Sequence, residues 1–200
     1  MKRPLYILTS FVLALVAVAC QEQDEVNEFD NWKSRNEHYI DSLANVARNG
    51  NGWVMMKSFN LGDSLGTGGQ NDQYIYVQKL ESGTGTYHPL FNDSIRVHYS
   101  GHLLPTASFP QGYCFDKSFS GSEFNTATDV PTLLGVNNLV KGFSTAVMNM
   151  VEGDHWKVVI PYYLGYKESS DNVPAYSTLI FDIYLARVYR YQVDKNTEWH

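Results

Sequence analysis

The stretch that most constrains this chain is "STLIFDIYLARVYRY", residues 177–191. Leu179, Phe181, Ile183 and Leu185 recur at every second position, which puts all four on one face of a strand. A strand with one wholly apolar face needs paired neighbours and a cover for that face. The neighbours are present: "WVMMKSF", "QYIYVQKLE", "SIRVHYSG" and "HWKVVIP" are short runs rich in strand formers, separated by turn residues. In "SIRVHYSG", Ile95, Val97 and Tyr99 share one face, and Arg96 and His98 the other. The cover is "NNLVKGFSTAVMNM", where Leu139, Phe143, Val147 and Met150 form a helical stripe beside Ala146, with Asn137 or Asn138 able to cap its start. Several antiparallel strands with one short helix laid across them make an α+β domain with a curved sheet.

The flanks divide the chain further. "MKRPLYILTSFVLALVAVAC" has a basic start, an apolar run from Leu5 to Ala19, and then Cys20. The run is too short for a comfortable membrane span and suits a signal peptide over residues 1–19. Its ending resembles a bacterial lipoprotein signal, which implies lipidation of Cys20 and attachment to a membrane of the cell envelope. Residues 20–50 read as an acidic tether, "QEQDEVNEFDN", followed by a helix with apolar positions at Trp32, Tyr39, Leu43 and Val46 or Ala47. That helix is expected outside the main domain, which spans 51–192 and leaves a polar tail at 193–200. The other cysteine, Cys114, then has no partner for an internal disulfide.

Charge and motifs exclude much. With 21 acidic against 15 basic residues, the chain lacks the basic face that nucleic-acid binding needs. His98 and His102 lack a third ligand partner, and two cysteines do not build a zinc site. Glu152 and Asp154 sit in a turn around Gly153, not across a cleft. No nucleophile elbow, zinc-protease helix motif or phosphate-binding loop occurs. Rings are plentiful, with 14 Tyr and 10 Phe, and "YCFDKSFSG" sets Asp116 between Phe115 and Phe119. An activity on this chain would have to need neither metal nor covalent intermediate.

The blocks "VHYSGHL", "FDKSF", "LVKGFSTAVMNMVEGDHWKVVIPYYLGY" and "VPAYSTLIFDIYL" fall in the order and near the spacing of one family. From about Tyr74 to Val188 the chain closely resembles the FKBP-type peptidyl-prolyl cis-trans isomerases, in a bacterial lipoprotein form. The resemblance implies a strongly bent antiparallel sheet wrapped around one short helix, here with an N-terminal helical extension. It implies catalytic roles for Tyr99, Asp116 and Tyr166. Phe115, Val130, Leu139, Val140, Phe143, Val173 and Phe181 would line the substrate pocket. Phe143 stands where many members have Trp, and Val130 is the position nearest to a frequent aromatic. The Arg that often follows the "FD" pair is absent around Gly121, Lys167 replaces a Gly, and "PTASFPQGY" is longer than usual. Proline-containing polypeptide clients and macrolide ligands, without a cofactor, are the partners implied, with periplasmic or outer-membrane-facing exposure. A non-catalytic binding lipoprotein using the same cleft is the alternative.

The chemistry such a pocket can perform follows from the peptide bond. Rotation about X–Pro meets a barrier of ~18–20 kcal/mol because resonance stiffens the C–N bond. The twisted state is less dipolar than the planar one, so a dry aromatic box favours it relative to water. Rotation moves no proton, and Asp116 is therefore expected to accept a hydrogen bond from Tyr99 and not to act as acid or base.

Overall fold

The computed structural model describes residues 27–61, 70–168, 170 and 172–191. The expected signal peptide, Cys20, the expected tether as far as residue 26, and the 193–200 tail lie outside the described residues, as does the polar loop at 62–69.

Among the described residues seven strands form one antiparallel sheet: β1 (Val54–Lys57), β2 (Tyr74–Glu81), β3 (Ser94–His102), β4 (Cys114–Lys117), β5 (Thr132–Gly135), β6 (His155–Ile160) and β7 (Leu179–Tyr189). Their order is β1-β2-β6-β7-β3-β4, and β5 pairs with the first half of β3 while β4 takes the second half. The alternation read at Leu179, Phe181, Ile183 and Leu185 is realised: all four are at most 3% exposed. They meet Ile75 and Val77 of β2 and Val158 and Ile160 of β6 in a single core. Helix α2 (Lys141–Val147) covers that core with Phe143, Ala146 and Val147, and Met150 follows just beyond its end. No side chain caps α2. Its N-cap is Val140, and Asn137 and Asn138 belong instead to a separate 3-10 turn, Val136–Asn138. The start is secured from inside, where the Ser144 hydroxyl donates to the Val136 carbonyl at 2.8 Å.

The N-terminal helix is not set apart from the domain. α1 (Trp32–Arg48) lies on the opposite face of the sheet from α2. Its buried positions, Trp32, Asn36, Ile40, Leu43 and Ala44, follow the spacing of one helix face. Ile40, Leu43 and Ala44 pack on Tyr76 and Val159, which β2 and β6 turn away from the inner core. Trp32 goes further and joins the inner core itself. Its indole N–H donates to Ser177 Oγ at 2.8 Å. Asn36, fully buried, accepts the Thr178 N–H at 2.7 Å and donates to the Trp32 carbonyl at 2.7 Å. Apolar cover joined to satisfied buried polar groups makes α1 an integral layer.

His98 is the other departure from simple alternation. It does face away from Tyr99, yet that face is not wet. The loop between β4 and β5 lays Phe124 flat on the imidazole, with ring centroids 5.2 Å apart and planes 4° apart, leaving His98 only 1% exposed. Burial holds its pKa below the usual histidine range.

Candidate active site

β3, β4, β7 and α2 converge where Phe181 emerges near the start of β7. Four rings meet there. Phe143 from α2 stands edge-on to Phe181 at 5.0 Å and 87°. Phe115 from β4 does the same at 5.5 Å and 84°. Tyr99 from β3 approaches Phe143 at 5.9 Å and 84°, and Phe181 at 6.3 Å. These are the offset and perpendicular geometries that ring quadrupoles favour. Phe143 and Phe181 are each 3% exposed and form the floor, whereas Phe115 and Tyr99 are half-buried walls. Leu139 and Val140, also half-buried, pack against the same cluster just ahead of α2. Val173 is buried in it, held by the paired backbone bonds between Ser170 and Val173.

Gly101 makes the box possible. A Cβ at Gly101 would stand 2.6 Å from the Phe115 ring and 2.7 Å from the Phe181 ring. Any side chain there would push the Phe115 wall away from the Phe181 floor. The pairing of β3 with β4 slips by one residue next to Gly101, and this irregularity brings Phe115 over the glycine.

Polar groups gather at the rim. Tyr99 Oη donates to Asp116 Oδ2 at 2.8 Å, the bond anticipated from the sequence. Burial first, and then the carboxylate it serves, hold the Tyr99 phenol well above its ordinary pKa. Tyr166 stands 42% exposed beyond the box, edge-on to Phe115 at 6.4 Å. Burial and the nearby Asp116 charge raise its pKa as well. Lys167 is held at φ 61°, a left-handed conformation that costs a non-glycine residue about 1–2 kcal/mol. Its backbone is pinned on both sides, with its N–H on the Tyr162 carbonyl at 3.0 Å and its C=O accepting the Tyr176 N–H at 3.1 Å.

Val130 does not join the site. It is 76% exposed and is not among the side chains packed on the ring cluster. The β3–β5 ladder ends at Val97 and Thr132, so no strand pairing turns Val130 toward the rings. Cys114 is a half-buried free thiol. Phe119 packs behind the loop on Phe124 at 5.8 Å. Among the described residues no group of three or more His, Cys, Asp or Glu side chains is placed to hold a metal ion.

A bent antiparallel sheet around one short helix, with a ring box at the helix start, defines a recognisable class. The family model described as FKBP-type peptidyl-prolyl cis-trans isomerase matches residues 85–186, and the chain belongs to that family. A Trypanosoma cruzi protein named macrophage infectivity potentiator is 33% identical over 57% of this chain and 53% of its own length. An Escherichia coli protein named FKBP-type 22 kDa peptidyl-prolyl cis-trans isomerase is 31% identical over 57% of this chain and 50% of its own. The chain thus spans about half the length of these curated relatives. A Neisseria meningitidis FK506-binding protein is 31% identical over 58% of the chain and 96% of its own length. Among solved structures, FkpA from Escherichia coli superposes with a TM-score of 0.56 at 25% identity, over 80% of this chain and 60% of its own.

Proposed function

We propose that this chain catalyses cis–trans rotation of X–Pro peptide bonds in polypeptide clients at a bacterial cell envelope, where a lipid on Cys20 holds it. The observation that carries the catalytic part is the ring box. Phe143 and Phe181 form a floor from which water is excluded, between the walls Phe115 and Tyr99. A proline ring seated there meets chiefly apolar carbon. The imide then loses the aqueous stabilisation of its planar, dipolar form, and the twisted state gains relative to it. Each 1.4 kcal/mol of that difference is about tenfold in rate.

Asp116 serves the shape of the box. One carboxylate oxygen takes the Tyr99 hydroxyl and so fixes the ring that touches both floor residues. The Tyr166 hydroxyl, at the rim, is the group available to bond the client's carbonyl. The same box would accept macrolide ligands of the family. The test is catalysed exchange of an Ala-Pro peptide, followed by NMR with the full chain in detergent micelles. No acceleration over the spontaneous rate at micromolar protein would sink the proposal. It would favour a non-catalytic peptide-binding role, to which the smaller ring at Phe143 and the strained Lys167 beside Tyr166 already lend weight.

A further inference from the structure

The two strands that carry the box run on past it. Leu103 lies two residues beyond Gly101, and its N–H donates to the Tyr113 carbonyl at 3.0 Å, so both continue the face on which the rings lie. Beyond them opens a cleft of about 410 Å³ lined by Phe29, Leu103, Phe109, Tyr113, Val173 and Pro174. Its lining is chiefly apolar, and Ser170 and Asn172 contribute its polar groups.

Elements outside the strand framework build this cleft. Phe29 precedes the family match at 85–186, and Phe109 belongs to the lengthened loop between β3 and β4. The two are latched together. The Glu28 carboxylate accepts the Ser108 N–H at 3.1 Å and the Ser108 hydroxyl at 2.5 Å. Arg35 of α1 donates to the Pro105 carbonyl at 2.8 Å and to the Glu28 carbonyl at 3.0 Å. Phe109 is steadied by Tyr113 at 5.1 Å, and Phe29 by Trp32 at 5.1 Å. The result is two large rings held 41% and 44% exposed on either side of a gap. The polar latch ties together the two segments that carry these rings.

We propose that this cleft is a second subsite for the client polypeptide, taking a bulky apolar side chain two to three residues from the proline. The inference rests on the reading of the ring box as the proline site. Continuity selects the occupant. Val173 is common to the cleft wall and to the core cluster beneath the box, and each of the two strands passes from one to the other. Two strand residues cover ~7 Å, the same rise an extended client has. A volume near the lower end of the range for small-ligand sites suits a single side chain. A stable partner protein or second copy would need well over ~1,000 Å² of complementary surface.

The experiment uses the full chain in detergent micelles and peptides of fixed Ala-Pro centre. Phe or Ala is placed two or three residues from the proline, on either side, and exchange NMR gives the catalysed rate without a protease. The expected result is a three- to tenfold preference for Phe at one position, falling to nearly one in Phe29→Ser and in Phe109→Ser. Both side chains are already partly exposed, and a melting curve checks that each variant is folded. Turnover of the Ala peptides with no preference at any position overturns the subsite and leaves the isomerase reading standing. So does a preference that survives in both variants. No turnover of any peptide overturns both. Concentration-dependent dimerisation that the two variants abolish would assign the cleft to self-association and overturn the subsite.

Discussion

Asn36 offers a sharp test of whether α1 is part of the fold. It is a polar residue on the buried face of a helix, fully enclosed, with its carbonyl oxygen on the Thr178 N–H at 2.7 Å. Thr178 is itself fully buried and leads directly into β7. In Asn36→Ala that backbone N–H has no acceptor and no route to water. Leaving a buried donor unpaired costs ~1–3 kcal/mol. Taking about 2 kcal/mol, and ~2–4 °C per kcal/mol for a domain of this size, the melting temperature should fall by about 4–8 °C. Asn45→Ala is the control. Asn45 lies on the exposed side of the same helix, where its side chain only receives Arg48 at 3.4 Å. That change should stay within ~0.5 kcal/mol. The assay is thermal unfolding by circular dichroism, with amide hydrogen exchange at Thr178 as a local readout. If Asn36→Ala melts within a degree of wild type and Thr178 exchanges no faster, the helix is a loose appendage and its buried contacts are not real. The same reasoning predicts that a chain starting at Asn51 is badly destabilised, since it also loses Trp32 from the inner core.

Phe181→Ala removes the ring that touches three others, from a site 3% exposed. It should cost ~3–5 kcal/mol of stability together with the activity, and a near-wild-type unfolding curve would contradict the packing. Asp116→Asn keeps an acceptor for Tyr99 and should retain measurable exchange catalysis, with a rate flat from mildly acidic to mildly basic pH. An acid limb in wild type that disappears in a dead Asn variant would mean that protons move in the reaction. His155 donates to Asp182 at 2.5 Å and is flanked by Glu81 at 3.8 Å; the Asp182 bond first, then the nearby charges, raise its pKa against the opposing effect of burial. A raised histidine stabilises fully below the unfolded value of ~6.5 and loses that contribution as pH climbs through the folded value, so the melting-temperature gap between wild type and Asp182→Asn should be wide at pH 6 and narrow by pH 9. Cys20→Ser should shift the protein from the membrane to the soluble fraction after lysis; unchanged membrane recovery would place the anchor elsewhere.

What the sequence made legible was whatever repeats with a period or has a fixed chemical motif. β7 announces itself because four apolar residues alternate over its length, and α2 because Phe143, Val147 and Met150 fall on one stripe. The Tyr99–Asp116 bond was legible through family pattern. β4 and β5, four residues each, are too short to show a period. Asn36 was invisible because a polar residue in an apolar stripe reads as a break in the face, and only the fold supplies the Thr178 amide that satisfies it. For His98 the sequence placed the side chain only on the face shared with Arg96, because alternation fixes the side of a sheet, not what covers it; Phe124 arrives from a loop more than twenty residues later. Gly101 and Val130 mark two different limits of sequence pattern. A glycine's role is set by what would collide with a side chain it lacks, and a family position becomes a pocket wall only if pairing turns it inward.

The same contrast explains how this site can be both small and well formed. Its floor depends on no hydrogen bond that a client would have to break: Phe143 and Phe181 are fixed by the inner core, and the sheet beneath them is backed on its outer side by α1 at one end and by Phe124 at the other. Under the proposed isomerase reading such backing matters, because a box that breathed would readmit the solvent that favours the planar imide. Adjustability is confined to the rim. Phe115 and Tyr166 stand on segments that also carry the irregular pairing at Gly101 and the strained backbone at Lys167. On that reading, clients of varied sequence would meet a fixed proline seat and a mouth that can adapt. Substitutions in the floor are expected to act on stability and rate together, and substitutions at the rim on which peptides are accepted.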